Sequence, residues 1–279
     1  MKCHDCPRNC GVDREKTVGF CKESHLIRIA KVIENFMWEE PCISGEKGSL
    51  AIFFSGCNLK CSFCQNKEIS HSGKGRLFSI EEFADFLYSF DMSRYSTLEL
   101  ITPSHFSSVL CKVFEKFKSP IPVVWNSNAY EKEEIIDKIS SFVDVFVPDL
   151  KFFNCDLAQN VALAKDYFEI STKAILKMRE NKPANIFKNN VLHQGLLIRH
   201  LVLPNNVKDS IQILDFIKGN IKSPFVSIMS QFTPIGKHFN RKIFPLEYKA
   251  VLSHAEKIGL TKGYFQDIES ANEKFIPDF

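Results

Sequence analysis

The sequence LAIFFSGCNLKCSFCQN, which runs from Leu50 to Asn66, joins an apolar run to three closely spaced cysteines. The apolar run is rich in β-branched and aromatic residues and therefore predicts a buried strand. Cys57, Cys61 and Cys64 then fall on the loop that leaves the carboxyl end of this strand. In parallel α/β sheets and barrels, ligands bind at this end. The stretch therefore predicts a ligand-binding loop that follows a buried parallel strand.

The C-x3-C-x2-C spacing of this loop indicates an iron–sulfur cluster. Cysteine thiolates hold such clusters, and a closed 4Fe–4S cluster uses four of them. This loop offers three, so the fourth iron would keep an open position, as a catalytic metal does. A zinc loop and buried free thiols are the alternatives. Zinc would need a fourth ligand, which Phe63 does not supply, and the spacing favours the cluster.

Four further cysteines lie close together near the N-terminus: Cys3, Cys6, Cys10 and Cys21. Four thiolates can close a tetrahedral zinc site or hold a second iron–sulfur cluster. Residues 1–48 contain too few apolar side chains for an independent core, so a metal would supply folding energy there. Plain reduced thiols are the alternative. We predict a cysteine-rich metal-binding extension over residues 1–48 and a barrel domain over residues 49–279, and we favour a cluster over zinc.

Composition limits the classes of protein to which the chain can belong. Its 279 residues, 44% of them hydrophobic, suffice for one barrel-sized domain. A net charge of +3 is too balanced to indicate binding to nucleic acid or to a membrane surface. No apolar leader follows Met1, and no run approaches the roughly 18 apolar residues of a membrane span. Ten cysteines without an export signal predict metal or redox chemistry in the cytoplasm.

Strand-like and helical runs alternate after the cysteine-rich segment. The strands are predicted at about residues 49–55, 98–102, 121–125, 143–147, 195–203 and 225–229. The helices are predicted at about residues 79–90, 106–118, 131–141, 157–179, 208–218 and 246–258. Such alternation implies parallel pairing with right-handed crossovers. Because a full eight-fold barrel uses about 250 residues, we predict an α/β fold, an incomplete (β/α)6 TIM-like barrel with a small cysteine-rich N-terminal extension.

Polar residues follow these apolar strands, and parallel strands bring their carboxyl ends to one mouth. Six of them are candidate cofactor contacts: Thr102, Asn126, Ser127, Asp149, Lys151 and Arg199. Asn126 and Ser127 are equally explained as turn or cap residues. A charged residue within an apolar strand is seldom buried without a partner. Arg199 is therefore expected either to bind a carboxylate bidentately or to form a structural pair with Asp149.

Several motifs of this chain resemble those of the radical S-adenosylmethionine (SAM) superfamily and, within it, the family similar to pyruvate formate-lyase activating enzyme. Besides the cysteine motif, the resemblance rests on EEPCISG (39–45), FFSGCNL (53–59), ITPSHF (101–106), VPDLK (147–151) and IRHLVLP (198–204). These motifs extend from about Cys3 to about Pro234, so the resemblance covers most of the chain.

The resemblance implies a cofactor and a reaction. In this superfamily SAM chelates the open iron of the 4Fe–4S cluster through its methionine amino and carboxylate groups. Reduction then cleaves SAM to a 5′-deoxyadenosyl radical, which abstracts hydrogen from a substrate. The resemblance further implies a reducing partner such as a flavodoxin or ferredoxin, and a glycyl-radical protein as substrate.

The resemblance also assigns residues. Asp149 and Lys151 match the Asp-x-Lys motif of activating enzymes, and Arg199 matches an arginine on their fifth strand. Thr102 and Pro103 stand where many members carry a Gly-Gly-Glu-like stretch that contacts the methionine amino group. This departure implies a different contact, through the Thr102 hydroxyl or a nearby carbonyl. No residue is assigned a catalytic role.

Three other functions compete with this interpretation. A radical enzyme could act on a small molecule or on another protein instead. A non-catalytic electron carrier with two iron–sulfur clusters is disfavoured by the long barrel and its polar mouth. A zinc-stabilised nucleic-acid binder is disfavoured by the near-neutral charge, because phosphate contacts need clustered basic residues.

Overall fold

Strands and helices alternate along the chain in this computed structural model, which describes residues 2–235 and 238–268. The strands are β1 (Ile27–Phe36), β2 (Ser49–Phe54), β3 (Arg76–Phe78), β4 (Thr97–Ile101), β5 (Val123–Ser127), β6 (Val145–Pro148), β7 (Ile186–Lys188), β8 (Val191–Leu196), β9 (Ile198–Leu201), β10 (Val226–Met229) and β11 (Gly263–Phe265). The α-helices are α1 (Pro41–Ser44), α2 (Lys67–Ser70), α3 (Ile80–Tyr88), α4 (Ser107–Lys116), α5 (Glu133–Ile139), α6 (Cys155–Ala162), α7 (Tyr167–Asn181), α8 (Val207–Asn220) and α9 (Pro245–Lys257). The predicted α/β class is confirmed.

The parallel strands form a continuous curved wall. β2, β4, β5, β6 and β8 pair in parallel in that order, and β9, β10 and β11 pair in parallel in a second sheet. Only Leu197 separates β8 from β9, and its N–H donates to the carbonyl of Phe146 at 3.0 Å. The N–H of Leu150 donates to the carbonyl of Arg199 at 2.8 Å, so the wall continues from β6 to β9. The six predicted strands correspond to β2, β4, β5, β6, β8 with β9, and β10, which confirms the incomplete barrel.

Three antiparallel strands flank this wall, and the sequence analysis did not predict any of them. β1 pairs with β2 and β3 pairs with β1 at one end, and β7 pairs with β8 at the other. The ten residues of β1 alternate imperfectly, with Ile27 and Ile29 buried and exposed positions near the far end. Residues 1–48 therefore contribute a strand to the main sheet, although the domain boundary after residue 48 stays a prediction. The end of the predicted barrel domain, residues 269–279, lies outside the described residues.

The predicted helix at 157–179 is in fact two helices, α6 and α7. The break falls at Leu163, whose φ of 57° places it in the left-handed region. A capping box begins α3: the Glu82 N–H donates to Ser79 Oγ at 3.1 Å, and the Ser79 N–H donates to Glu82 Oε2 at 2.7 Å. Across residues 2–235 and 238–268, no helix is long and apolar enough to cross a bilayer.

Two arginines attach the cysteine-rich segment to the barrel. Arg8 donates from Nε to the carbonyl of Asn58 at 2.8 Å and from Nη1 to the carbonyl of Leu163 at 2.5 Å. Arg14 is buried and donates from Nη1 to the carbonyl of His105 at 2.5 Å. Hydrogen bonds from charged donors contribute about 1.5–3 kcal/mol each. These contacts fix the segment against the loops that follow β2 and β4.

The turn at Gly56 lets the cysteine loop leave β2, and this requirement gives the first prediction. Gly56 has a φ of +79°, and a Cβ there would lie 2.6 Å from Cγ of Glu23 and 2.8 Å from the carbonyl oxygen of Cys21. Gly56→Ala should therefore lower the free energy of unfolding by about 2 kcal/mol or more. The matched control is Gly219→Ala in α8, where a Cβ meets nothing within 4 Å. That substitution should raise the free energy of unfolding by about 0.5–1 kcal/mol.

Urea unfolding of both variants checks this prediction. Equal changes in the free energy of unfolding at the two glycines would show that the Gly56 turn is not under the constraint described here.

Candidate functional site

A cavity of about 230 Å³ opens at the carboxyl ends of the parallel strands. Its walls include the three loop cysteines and all six of the predicted cofactor contacts: Cys57, Cys61, Cys64, Thr102, Asn126, Ser127, Asp149, Lys151 and Arg199. The fold thus brings together nine residues that span more than half of the sequence. The lining drawn from the described residues does not include the four N-terminal cysteines.

The cysteine loop is held in place from two sides. The backbone N–H groups of Lys60 and Ser62 donate to the carbonyls of Ala162 and Val161, at 3.3 and 2.8 Å, at the end of α6. The aromatic residue of the motif, Phe63, is buried and packs at ring-centroid distances of 5.6–6.1 Å against three other phenylalanines: Phe152, Phe232 and Phe239. Such aromatic pairs contribute about 0.5–1.5 kcal/mol each beyond their burial. The loop is therefore a packed part of the barrel.

Two further polar side chains contact the sulfur atoms. Asn128 Nδ2 lies 3.4 Å from Cys57 Sγ and donates to Asn58 Oδ1 at 2.8 Å. Ser70 Oγ lies 3.3 Å from Cys64 Sγ. Hydrogen bonds to the sulfurs tune the potential of an iron–sulfur cluster and orient its ligands. Asn128 and Ser70 are therefore additional site residues.

The thiols are suited to a cationic centre. Burial raises the pKa of both Cys57 and Cys61, and the positive charge of Lys151 acts in the opposite direction on each. Buried thiolates become favourable when a metal neutralises their charge. No three His, Cys, Asp or Glu side chains among residues 2–235 and 238–268 converge on a single ion position. The cysteines of a cluster each bind a different iron, so three half-buried thiols around one cavity fit such a group.

Another part of the cavity lining is a group of largely buried charges centred on Arg199. Its Nη1 atom is 2.6 Å from Glu39 Oε2, and its Nε atom is 3.7 Å from Glu40 Oε1 and 3.5 Å from Asp149 Oδ1. Lys151 Nζ lies 2.5 Å from Asp149 Oδ2. The structural pair with Asp149 is thus present, as one of the two alternatives predicted. Glu39 and Glu40, which the sequence analysis quoted in a motif without a role, complete the group.

Burial shifts the titration of the acids in this wall. It raises the pKa of Glu39 to about 7, although the nearby Arg199 guanidinium acts to lower it. It raises the pKa of Glu99 well above its ordinary value, with the Glu39 charge adding to the shift. Asn126 Nδ2 and Ser49 Oγ donate to the two Glu99 oxygens at 2.9 and 3.1 Å. Glu39 and Glu99 therefore take up protons at a higher pH than ordinary carboxyl groups do. The amide group of Asn126 is engaged by Glu99.

Two buried atoms beside the cavity have no hydrogen bond within the described residues. These are Asp149 Oδ1, an acceptor, and Arg199 Nε, a donor. Buried polar atoms of this kind need a partner, because leaving one unsatisfied costs about 1–3 kcal/mol. The two atoms lie 3.5 Å apart as an ion pair that does not make a hydrogen bond. This acceptor and this donor could instead serve the ammonium and carboxylate groups of an amino-acid ligand, such as the methionine part of SAM.

Thr102 adopts an unusual backbone conformation at the mouth of the cavity. Its φ is 61°, in the left-handed region that β-branched residues rarely occupy. Its N–H donates to the carbonyl of Asn126 at 2.9 Å, which holds the residue at the end of β4. Conformations that cost about 1–3 kcal/mol cluster at functional sites. Both its backbone conformation and its position in the cavity lining therefore identify Thr102 as a candidate site residue.

Other polar residues near the cavity have structural partners. Ser127 Oγ donates to Glu131 Oε2 at 2.8 Å and accepts from the N–H of Ala129 at 3.2 Å, as the turn alternative predicts. His105 Nε2 lies 2.7 Å from the carbonyl oxygen of Ser55. His105 therefore supports the strand end from which the cysteine loop departs.

Comparison with known proteins places the chain in a family. The sequence profile described as the Radical SAM superfamily matches residues 51–217. An uncharacterized protein of Methanocaldococcus jannaschii is 31% identical over 277 residues, which cover 92% of this chain and 75% of the relative. The chain belongs to the radical SAM superfamily, and membership implies a 4Fe–4S cluster and SAM.

Two solved structures share the fold at low sequence identity. Methylornithine synthase (PylB) matches with a TM-score of 0.51 at 14% identity, covering 78% of this chain and 63% of the synthase. SuiB of Streptococcus suis, solved with its precursor peptide SuiA, matches with a TM-score of 0.50 at 13% identity, covering 76% of this chain and 46% of SuiB. The match thus extends over about half the length of SuiB. These likenesses concern the fold alone.

The buried charges give the second prediction. Arg199→Met leaves three carboxylates without their cation, which should cost about 3–5 kcal/mol of unfolding free energy at pH 8. The loss should shrink towards pH 5.5. Without the guanidinium the pKa of Glu39 rises further above 7, and an acid with a raised folded-state pKa stabilises the protein at low pH and loses that contribution as the pH rises.

The matched control is Arg179→Met. Arg179 is also buried, but it donates to the neutral oxygens of Lys182, Asn185 and Leu196. Urea unfolding between pH 5.5 and 8 should show a pH-independent loss for this variant. A pH-independent loss for Arg199→Met as well would mean that its carboxylate partners do not set the stability of this wall.

Proposed function

We propose that this chain is a radical enzyme that holds a 4Fe–4S cluster through Cys57, Cys61 and Cys64 and binds SAM in the adjoining cavity. The observation that carries the proposal is that the three thiols and the six predicted cofactor contacts line one cavity. When bound, the cluster and SAM supply reductive cleavage to a 5′-deoxyadenosyl radical that takes hydrogen from a substrate. Membership of the superfamily supports this chemistry.

The residues of the cavity orient the cofactor. Asp149 Oδ1 makes no hydrogen bond in the protein and would accept one from the methionine ammonium, while Lys151 holds the other oxygen of the same carboxylate. Arg199 Nε, which has ion-pair neighbours but makes no hydrogen bond, would donate to the methionine carboxylate. Thr102 supplies its hydroxyl or carbonyl where other members use a Gly-Gly-Glu-like stretch. Asn128 donates to the sulfur of Cys57 and steadies the cluster.

The substrate we favour is a glycine in a partner protein, which would make the chain a glycyl-radical activating enzyme. The motif resemblance to pyruvate formate-lyase activating enzyme supports this. An opening in the barrel wall supports it too: β3 and β11 end the two sheets, and they do not pair with one another within the described residues. SuiB, which shares the fold, holds a peptide. A small-molecule substrate is the second candidate, since the shared fold also serves methylornithine synthase.

The third prediction concerns the loop cysteines. Replacing Cys57, Cys61 and Cys64 with Ala should abolish formation of deoxyadenosine and remove about four iron atoms per chain. Binding of SAM, measured by calorimetry, should weaken at least tenfold because the open iron is lost. Cys155→Ser, at an exposed thiol, is the control and should leave all three readouts unchanged. Undiminished cleavage of SAM in the triple variant would overturn the cluster assignment.

The fourth prediction concerns the substrate. Reduced enzyme, SAM and each glycyl-radical candidate from the same cell should give a glycine-centred doublet in electron paramagnetic resonance with one of them. Deoxyadenosine should form in step with the doublet. Turnover on a small metabolite, with no doublet from any candidate protein, would assign the radical chemistry to the second substrate class.

A further inference from the structure

The four N-terminal cysteines lie together in a second group. The carbonyl of Cys6 accepts from the N–H of Asn9 at 3.1 Å, so a tight turn joins Cys6 to Cys10. A Cβ on Gly19 would lie 3.4 Å from Cys10 Sγ and 3.8 Å from Cys21 Sγ, so these two sulfurs flank the same glycine. The group is thus formed in the folded chain.

Tight turns hold the chain around this group. The N–H of Cys3 donates to the carbonyl of Val12 at 2.8 Å, and the N–H of Gly11 donates back to the carbonyl of Cys3 at 3.0 Å. The N–H of Phe20 donates to Cys10 Sγ at 3.2 Å. Cys6 and Cys21 are buried, whereas Cys3 and Cys10 are half-buried. No three of these thiols converge on one ion position among the described residues. Four thiols held by turns and by an N–H···S bond fit an iron–sulfur cluster, in which each cysteine binds a different iron.

This second group lies directly against the loop of Cys57. The carbonyl oxygen of Cys21 packs against Gly56, where a Cβ would come within 2.8 Å of it. Gly56 is the residue that precedes Cys57. Lys60, between Cys57 and Cys61, is in electrostatic reach of both the Cys57 and the Cys21 thiols. Its Nζ atom also stands 5.6 Å from the ring of Phe20. The two cysteine groups are therefore in contact, through Cys21 on one side and Gly56 on the other.

We propose that Cys3, Cys6, Cys10 and Cys21 hold a second, redox-active iron–sulfur cluster that relays electrons to the cluster of the Cys57 loop. The proposal rests on the function proposed above. A reduced one-electron carrier protein loses one electron to the N-terminal cluster. That cluster returns to its oxidised form as it passes the electron on, and the loop cluster is reduced by one electron. No bond is made or broken, and no proton is transferred.

The carrier that fits is acidic, of the flavodoxin or ferredoxin kind. Lys22 and Lys67 are exposed beside the two cysteine groups, with Lys60 half-buried between them. Lys22 Nζ lies 3.3 Å from the carbonyl oxygen of His71. Burial and the charges of Lys60, Lys67 and Lys22 together lower the pKa of His71 to about 4, so the three lysines form one positive surface. Complementary charge steers an acidic partner to this surface.

The first experiment asks whether the second cluster exists. The variant with Cys57, Cys61 and Cys64 replaced by Ala, purified and reconstituted anaerobically, should retain about four iron and four sulfide per chain. Reduction should give a paramagnetic signal. Zinc in place of iron, or no metal in a folded protein, overturns the proposal. An absence of cluster at the loop in the wild-type chain would contradict the proposed function instead, and the two failures are thus told apart.

The second experiment asks whether the cluster relays electrons. We would follow reduction of the loop cluster at low salt by stopped-flow absorbance with reduced flavodoxin, and separately with titanium(III) citrate. In Cys6→Ala/Cys21→Ala, reduction by flavodoxin should be at least tenfold slower, and reduction by the small reagent should be unchanged. Cys155→Ser is the control and should match wild type. Equal flavodoxin rates in wild type and the double variant overturn the relay.

A charge-reversal variant keeps the test decisive if the cysteine variant does not fold. Lys22→Glu/Lys67→Glu changes only exposed side chains. Reduction by flavodoxin should again fall at least tenfold at low salt, and the difference from wild type should close as ionic strength rises. If the variant is reduced as fast as wild type at low salt, the carrier does not dock on this surface, and the proposed electron path through the N-terminal cysteines is overturned.

Discussion

The guanidinium of Arg199 holds together parts of the chain that are far apart in sequence. It pairs with Glu39 and Glu40, which follow β1, and with Asp149, which follows β6. A buried charge that loses its partners costs several kcal/mol, so these segments must close on Arg199 for the protein to fold. The same contacts form the charged part of the cavity that the cysteine loop also lines. The N-terminal part of the chain is for this reason built into the site.

Much of the fold and the site could be predicted because parallel strands place their carboxyl ends at the same edge of the sheet. Each buried strand is an apolar run of several residues, and the polar residues that follow such runs must meet at one edge. Elements that depend on long-range partners were missed. β1 carries Arg28 and Glu34 among its apolar residues, so its alternation is weak without β2 beside it. The break at Leu163 has no glycine or proline to mark it, and the apolar period continues across it.

Some residues of the site could likewise be identified from local sequence, whereas others depend on partners far away in the chain. Glu99 lies within an apolar strand, as Arg199 does, and the same reasoning from buried charge could have identified it. Glu39 stands outside any strand, and its partner is 160 residues away. Asn128 looks like an ordinary turn residue in the sequence, and only the folded loop brings it to the sulfur of Cys57. Chemistry that depends on such distant contacts cannot be read from local pattern.

The bracing of the cysteine loop fixes when the site can exist during biosynthesis. Lys60 and Ser62 depend on the carbonyls of Ala162 and Val161, which the ribosome adds about a hundred residues later. A nascent chain that has emerged only as far as the loop presents three thiols on an unsupported segment. Assembly of the cluster therefore belongs after translation of α6, and whatever delivers iron and sulfide must meet a largely folded barrel.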